Sequence, residues 1–513
     1  MGSTVRQMSW KAQLCEACHF ETYRRVAGYL YTDPLNNVWK NAYDANRRLI
    51  ARTDPLGRVA STLYNADGTV LAQIDPRGLR TTFQYDAYGN MTTMTASDGG
   101  VWKYAYDELG RMVSRSLPVG TRTWTMAYDA ADHLVSSMDP DGNTTQYVYD
   151  SCLLAAVVNP LNERTSYTYG RFGNRLTETN PLGDVTQYAY DVQGRLTTVT
   201  DALNNTSLIV YQPDMNRKLW DVDALGNVTS YLYDGSNRLS TIVNARGYTT
   251  VYGYNARDMV SSTDALGNQT QFVYDALGRQ TAVVSPMGFR STTVYDAAGQ
   301  VVSLVDALNG LTQFQYDLAG NRTTVADANG EITSTVYYSN KNTPLASVDA
   351  LGNRTTYNYD EIGWLRNLTD PKGGVLSMNY WGPGQLRWVK NQLDVANREY
   401  DYDGAGRVSV FRNAGLRETM TYDAAGRQTG RRFNSGERVT QMYDALGRRT
   451  TLSDFWGVAT TTYDALGRVT RESNRGLATQ YEYDQNGNRT LMVDPSGGRF
   501  TYLYDELDRL ESM

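Results

Sequence analysis

The sequence predicts an all-β protein that is built as one long array of antiparallel β-hairpin repeats rather than as several globular domains. Three observations lead to this prediction. Tyrosines recur at intervals of about 20–22 residues from Tyr43 to Tyr504, with a degenerate copy at Tyr23. Each interval contains two turn sequences, and the residues between them alternate in polarity with a period of two. Beyond about residue 40, no stretch has a convincing helical period.

The periodic tyrosines define about 24 copies of one unit. A period of this length is typical of repeat proteins, in which each unit packs mainly on its neighbours. We therefore assign a structural role to the repeat aromatics, which include Tyr85, Tyr106, Tyr149, Tyr190, Tyr233, Tyr274, Tyr316, Tyr359, Tyr402, Tyr443, Tyr463 and Tyr483.

Each unit has two corners. The first follows the tyrosine and reads Y-D-x-x-G-R, complete as YDALGR at 274–279, 443–448 and 463–468. The second corner is often Asp-Pro-x-Gly, as at 54–57. Asp first, Pro second and Gly fourth favour a type I turn whose last residue is left-handed. The residues that we interpret as structural turns are Asp275, Gly278, Arg279, Asp444, Gly447, Arg448, Asp464, Gly467 and Arg468.

The acid, base and phenol of YDALGR could also be a catalytic site copied many times. A catalyst needs one perturbed environment, and this chain has only 2 His. A group repeated in so many units is better explained by structure. We expect the Asp to satisfy turn amides, and the Arg to lie over the Tyr of the next unit or to pair with an acid. No catalytic residue is predicted, and the chain is expected not to be an enzyme.

The strands between corners place aromatic residues on one face, as in the Tyr-x-Tyr pairs 104/106 and 481/483. We expect these rings to be mostly buried and to pack on one another between units as an aromatic ladder. Two strands per unit make a strip of about 48 strands, whereas open sheets seldom exceed about ten without curling. The array is therefore predicted to curl into a spiral β-strip or partial hollow shell.

Composition excludes several classes of function. A net charge of −6 and a pI of about 5.3 give no basic stripe for nucleic acid. No segment approaches the roughly 20 apolar residues of a membrane span, and 3 Cys make no disulfide framework. The sequence Cys15-Glu-Ala-Cys18-His fits the haem c attachment pattern, which we interpret as a coincidence. No cofactor and no metal site are predicted.

The organisation follows from where the repeat is recognisable. Residues 1–22 do not follow it and could form a cap on the first strand, whereas 23–513 form the array. The array ends inside a repeat, at 504–510, so we expect a longer reading frame or a second chain that covers the last edge.

The pattern Y-D-x-x-G-R-L-x-x-x-x-D-P-x-G-x-x-T-x-Y-x-Y resembles the YD repeat of the RHS family, which occurs in bacterial polymorphic toxins, insecticidal toxin complexes and teneurins. The resemblance covers about residues 23–513. It implies a secreted or cell-surface shell that encloses a C-terminal toxin domain, with an RHS core segment after the repeats. Neither the core nor the toxin is recognisable here, so the implied partners are that missing core and toxin cargo, or another chain.

Three functions are consistent with these features. The first is a structural shell segment that encloses or presents a polymorphic toxin. The second is an extracellular carbohydrate-binding or adhesion module, in which aromatic ladders and Asn/Asp-rich corners hold a cell-surface glycan. The third is an enzyme hidden among degenerate repeats, for which the places to look are 211–218, 338–345 and 380–389.

Overall fold

The computed structural model describes residues 6–9, 27–118, 122–213, 215–391 and 398–513. Within these ranges all helix and strand content is β-strand, from β1 to β49. The predicted all-β antiparallel array is confirmed. Apart from 6–9, the N-terminal segment 1–22 with its Cys15 and Cys18 lies outside the described residues. The described residues contain no helix that is long and apolar enough to cross a membrane.

The chain divides into two compact units, and each unit contains two separate stretches of sequence. Unit 1 consists of 1–125 and 271–378, and unit 2 of 126–270 and 379–513. We call the earlier stretch of each unit its first row and the later stretch its second row.

Unit 1 contains the strands of two rows, with β11, β25 and β35 extending past its limits. In the first row these are β1 (Arg6–Ser9), β2 (Ala27–Thr32), β3 (Val38–Tyr43), β4 (Leu49–Thr53), β5 (Val59–Tyr64), β6 (Val70–Ile74), β7 (Arg80–Tyr85), β8 (Met91–Thr95), β9 (Val101–Tyr106), β10 (Met112–Ser116) and β11 (Thr123–Tyr128). In the second row they are β25 (Gln269–Tyr274), β26 (Gln280–Val284), β27 (Arg290–Tyr295), β28 (Val301–Val305), β29 (Leu311–Tyr316), β30 (Arg322–Ala326), β31 (Ile332–Tyr337), β32 (Pro344–Val348), β33 (Arg354–Tyr359), β34 (Leu365–Thr369) and β35 (Val375–Tyr380).

Unit 2 repeats the same plan. Its first row contains β12 (Leu134–Met138), β13 (Thr144–Asp150), β14 (Leu153–Val158), β15 (Arg164–Tyr169), β16 (Arg175–Thr179), β17 (Val185–Tyr190), β18 (Leu196–Thr200), β19 (Thr206–Tyr211), β20 (Lys218–Val222), β21 (Val228–Tyr233), β22 (Leu239–Val243), β23 (Thr249–Tyr254) and β24 (Met259–Thr263). Its second row contains β36 (Leu386–Asn391), β37 (Arg398–Tyr402), β38 (Val408–Asn413), β39 (Leu416–Tyr422), β40 (Gln428–Phe433), β41 (Arg438–Tyr443), β42 (Arg449–Asp454), β43 (Gly457–Tyr463), β44 (Val469–Asn474), β45 (Leu477–Tyr483), β46 (Arg489–Val493), β47 (Arg499–Thr501), β48 (Leu503–Tyr504) and β49 (Leu510–Ser512).

Within each row as far as β47, a strand pairs antiparallel with the next strand along the chain, whereas β48 and β49 pair with each other in a separate two-stranded sheet. Across the second corner the register is regular, as in the pairing of β8 with β9. Across the first corner it shifts by one residue at the tyrosine, so that Gln84 faces Thr93 whereas Tyr85 faces Met91. This β-bulge recurs at the repeat tyrosines, including Tyr190 and Tyr443, and it follows from the left-handed residue that ends the corner.

The core of the described chain is thin. Its buried apolar side chains are few and mostly small, and most strand residues are only half-buried. Four of the buried residues are alanines in the short strands that follow first corners. They are Ala72, Ala156, Ala282 and Ala346. A strip that buries little apolar surface depends on its repeated polar contacts as well as on hydrophobic packing.

Candidate functional site

The feature that recurs throughout the chain is the first corner, which we call the YD corner. In the corner at 444–448, the carboxylate Oδ1 of Asp444 accepts hydrogen bonds from the backbone N–H of Leu446 and of Arg448, both at 3.0 Å. The backbone carbonyl of Asp444 accepts one from Gly447, whose φ is 79°. Because φ is positive there, the position favours Gly or Asn. Asp and Gly therefore make the turn itself.

The arginine of the corner connects one unit to the next. Arg448 Nε donates to Asp444 Oδ2 at 2.7 Å, and Nη1 donates to the backbone carbonyl of Asp464, the first residue of the next YD corner, at 3.0 Å. The same guanidinium lies 4.8 Å from the ring centroid of Tyr463. Both the acid pairing and the ring contact were expected. The carbonyl acceptor had no signal in the residue pattern.

We call this three-part contact the arginine clamp. It joins consecutive repeats in unit 1 and in unit 2. The planar guanidinium can donate to a carboxylate and to a backbone carbonyl at the same time. Arg279 makes the acid and ring contacts, with Asp275 at 2.7 Å and Tyr295 at 4.4 Å. The complete clamp is made by Arg48, Arg195, Arg238, Arg407, Arg427, Arg448 and Arg468.

The repeat tyrosines also reach back to the preceding unit. Tyr463 donates its hydroxyl to the backbone carbonyl of Arg449, the first residue of the strand that follows the previous YD corner, at 2.9 Å. A phenol at a half-buried position keeps its hydrogen bond in this way. The same bond is made by Tyr64, Tyr106, Tyr169, Tyr233, Tyr254, Tyr295, Tyr316, Tyr337, Tyr402, Tyr422, Tyr443, Tyr483 and Tyr504.

The expected aromatic ladder of ring on ring is wrong in two respects. The repeat tyrosines are half-buried, and where the preceding corner ends in arginine their partner is that arginine rather than another ring. Ring pairs are exceptions, such as His133 stacked on Tyr149 with centroids 4.4 Å apart. The reason is the corner itself, because an arginine at its end covers the tyrosine of the next corner, as Arg448 covers Tyr463. The remaining residues of the set, Tyr85, Tyr190, Tyr274 and Tyr359, occupy the same half-buried position beside the bulge.

The surroundings of the corner aspartates and of the tyrosines shift their pKa values away from neutral pH. Burial acts to raise the pKa of Asp464, but hydrogen bonds from Arg468 outweigh it and the pKa is lowered. Burial raises the pKa of Tyr402 and of Tyr483. Burial and a 2.7 Å hydrogen bond to Asp221 raise the pKa of Tyr231 to about 12. The acids therefore stay charged and the phenols neutral, which suits a structural contact.

The degenerate segments have altered corners. At 338–343 the corner is one residue longer, with Tyr338 in the place of Asp; the hydroxyl bond of this unit is made by Tyr337. At 381–385 Trp381 replaces Asp, and its indole N–H donates to the carbonyl of Tyr400. Within the described ranges, no group of three His, Cys, Asp or Glu residues could hold a metal ion.

Comparison with known families matches the RHS repeat at residues 64–101, 128–152, 172–206, 254–289, 295–332, 338–375 and 463–499. The chain belongs to the RHS/YD-repeat family of repeat proteins. No curated protein matches the sequence.

Solved structures are similar over almost the whole chain. The Tc holotoxin pore of Photorhabdus luminescens aligns with 98% of this chain at 13% identity and a TM-score of 0.60. The TcdB2–TccC3 structure aligns with 99% at 14% identity and a TM-score of 0.60, and the form without its hypervariable C-terminal region with 99% at 13% and 0.59. The chain spans 36–37% of the length of those chains. The fold is therefore the β-strip fold of these toxin components.

Proposed function

We propose that this chain is a structural wall segment of an RHS/YD-repeat toxin shell, which helps to enclose or present a toxin cargo and catalyses no reaction itself. The observation that carries the proposal is the fold similarity to Tc toxin chains over 98–99% of the chain. The proposed partners are an RHS core with its toxin cargo, or another chain that continues the strip.

The chemistry of the corners supports a structural role. Their acids, bases and phenols hold one another and the backbone, as when Arg448 contacts Asp444, Asp464 and Tyr463 together. A reactive group would need to be free and to have a pKa near the working pH. Here the shifted pKa values of the corner acids and of the tyrosines move away from neutrality. Repetition of such contacts makes a wall rather than a reaction centre.

The experiment that tests this function is protection of a cargo. The chain would be co-expressed with the polypeptide encoded directly downstream of it, and the purified material would be treated with protease. We expect the two to copurify and the cargo to be digested at least about tenfold more slowly than the cargo alone, as for a segment held in an enclosed state.

A matched pair of variants separates enclosure from simple binding. The triple substitution Arg427→Ala, Arg448→Ala and Arg468→Ala weakens three successive clamps and should speed cargo digestion. Tyr88→Ala removes a side chain that is 89% exposed and should leave digestion unchanged. Equal digestion of the cargo with and without the wild-type chain would rule the shell proposal out.

A further inference from the structure

The two rows of each unit meet through corners of opposite kinds. Second corners of the first row contact YD corners of the second row, over sequence separations of about twelve repeats. In unit 1, Ser97 Oγ donates to the carbonyl of Asn340 at 2.6 Å, a separation of 243 residues. In unit 2, Arg407 pairs with Glu163 at 3.3 Å, a separation of 244 residues. The question is what decides which corners meet.

Two YD corners of the second rows have Asn in the position of the clamp arginine. They are Asn321 in unit 1 and Asn488 in unit 2. Each Asn Nδ2 donates to the Asp of its own corner at 2.9 Å. Each Asn also donates to a side chain of the next corner, Asn321 to Asn342 at 3.2 Å and Asn488 to Asp508 at 2.6 Å. Neither brings a guanidinium to the carbonyl that opens that corner. The carbonyls of Tyr338 and Asp505, which stand in that position, therefore lack an in-row arginine.

In unit 1 an arginine from the other row takes this place. Arg77, the third residue of the second corner 75–78, donates from Nη2 to the carbonyl of Tyr338 at 2.5 Å. Its Nη1 donates to Asn342 Oδ1 at 2.9 Å and to Asp317 Oδ2 at 3.2 Å. Only 14% of the Arg77 side chain is exposed. The guanidinium thus bridges two consecutive YD corners of the second row.

In unit 2 a second arginine makes the same contact. Arg246, the third residue of the second corner 244–247, donates from Nη1 to the carbonyl of Asp505 at 3.0 Å and to Asp508 Oδ1 at 2.7 Å. Its Nε lies 3.6 Å from Asp484 Oδ2. Burial acts to raise the pKa of Asp508, but hydrogen bonds from Asn488 and Arg246 outweigh it and lower that pKa. As with Arg77, one guanidinium contacts the Asp of one YD corner together with the opening carbonyl and a side-chain oxygen of the next corner.

The two sets match one to one in the sequence. Among second corners of the form Asx-x-x-Gly or Asx-x-x-Asn, Arg77 and Arg246 alone have Arg in third position. Among the YD corners of the second rows, 317–321 and 484–488 alone end in Asn. The separation between the arginine and the carbonyl that opens the following corner is 261 residues for Arg77 with Tyr338 and 259 for Arg246 with Asp505. Both contacts therefore join corners that are the same number of repeats apart.

We propose that Arg77 with Asn321, and Arg246 with Asn488, form a register lock: an arginine of the first row replaces the missing clamp arginine of the second row and so specifies which corners face each other. An alignment slipped back by one repeat would set Arg246 against the corner at 464–468. There Arg468 already holds the carbonyl of Asp484, and two guanidinium groups would repel each other. The proposal does not depend on the presence of a cargo.

The test uses full-length protein in which the three native cysteines are replaced by serine, and it follows two readouts. The first is the in-register disulfide between Ser97→Cys and Asn340→Cys, compared with the one-repeat-slipped pair Ser97→Cys and Ala319→Cys. The second is amide exchange of the receiving corner 338–343. Arg77→Ala should lower the in-register yield, produce the slipped disulfide and speed exchange about tenfold, the effect of losing one charge-assisted hydrogen bond.

Asn321→Arg tests the register lock in a variant that keeps Arg77. The new arginine should take the carbonyl of Tyr338 within its own row and repel Arg77, which also lowers the in-register disulfide. The double variant Arg77→Ala with Asn321→Arg should return exchange at 338–343 to within about twofold of wild type, because the carbonyl is again bonded, while the disulfide yield stays low. Leu56→Ala, at an exposed third position of a neighbouring second corner, should change neither readout.

This separation of the two readouts is specific to a register role, because general destabilisation would move both together. Wild-type disulfide yields in both Arg77→Ala and Asn321→Arg would overturn the proposal, and so would a double variant that recovers the disulfide together with the exchange. Arg246→Ala and Asn488→Arg provide the same test in unit 2, with exchange of the corner at 505–509 as the readout.

Discussion

In two stretches of the second rows, the last residue of the YD corner makes different contacts. From 403 to 468 the four YD corners all end in arginine, and each arginine clamps the next unit of its own row. From 296 to 364 the corners end in Gln300, Asn321 or Trp364, or are lengthened as at 338–343. In that stretch the contacts cross to the other row.

The contacts between the two rows differ in chemistry, but each joins a second corner of the first row to a YD corner of the second row. Gln300 accepts a hydrogen bond from Arg58 at 2.5 Å, and Trp364 lies under Arg122 at 4.6 Å from its ring centroid. Their sequence separations are both close to those of Ser97 with Asn340. At Gln300 and Trp364 the residue that replaces the corner arginine contacts an arginine of the other row, whereas Arg407 keeps its clamp and also pairs with Glu163 across the rows. The comparison teaches that departures from the repeat mark some of the corners where rows meet, and that a clamp arginine can serve both contacts.

The largest effect is expected from alkaline pH, because it acts on the tyrosines that both stretches share. The pKa of Tyr359 in one stretch and of Tyr422 in the other is raised, mainly by burial, from the ordinary 10.0. A tyrosine whose pKa is higher in the folded state stabilises the fold, and this contribution is complete below pH 10. The contribution is lost as the pH rises through the folded-state pKa, which is about 12 for Tyr231. Tyrosinate absorbance and circular dichroism should therefore change together above pH 10, and strand signal that persists after all tyrosines ionise would contradict this.

The next effect compares one tyrosine from each stretch. Tyr443→Ala removes a ring beneath Arg427 and a 2.7 Å hydrogen bond to Gln428, and should lower the free energy of unfolding by about 3 kcal/mol. Tyr316→Ala removes a similar 2.7 Å bond to Val301, and should cost about 2 kcal/mol. Chemical denaturation measures both. Equal losses would mean that the clamp adds nothing to the ring.

A smaller effect is expected at the joining side chains themselves. Arg448→Ala should cost about 2 kcal/mol, since two charge-assisted hydrogen bonds and the contact with Tyr463 are lost. Gln300→Ala should cost about 1 kcal/mol, because its amide bonds to Gly320 and Arg58 are exposed to water on one side. Arg448→Lys retains the charge without the planar fork and should recover less than half of the loss. Full recovery by lysine would show that charge alone joins the units.

The smallest effect concerns the left-handed residue of the corner. Gly447→Ala should cost about 1 kcal/mol, since φ is 79° there. Gly447→Asn should cost less, because Asn204 and Asn237 hold the equivalent place at φ of 65° and 67°. In the other stretch Gly320→Ala should cost more than Gly447→Ala, because the new Cβ would come within 3.2 Å of Gln300. The reverse order in thermal melts would contradict this assignment.

Much of the fold could be predicted from local chemistry. Asp444 and Gly447 make a turn whatever surrounds them, because their hydrogen bonds and backbone angles lie within five residues. The alternation of the strands follows in the same way from the two-residue period. The corner pairing of arginine with its own Asp is equally local. These features could be read from a single unit.

Other features could not be read from one unit. The carbonyl of Asp464 as an acceptor for Arg448 has no side-chain signal, because every residue has a carbonyl. Ring-on-ring packing was expected from the tyrosines alone and was wrong, because an arginine that ends a corner covers the next tyrosine, as Arg448 covers Tyr463. The position of Tyr337 rather than Tyr338 in the hydroxyl ladder depends on the longer corner that follows.

The amino-acid sequence by itself determined the repeat, its two corners and the antiparallel β class of this RHS-repeat protein, because each depends on contacts between residues close together in the chain. Only the tertiary structure decided which distant corners meet. Arg77 and Asn321 look like ordinary variation within their own repeats. Their relation appears once the two rows of unit 1 lie side by side and the carbonyl of Tyr338 needs a donor that its own row does not supply.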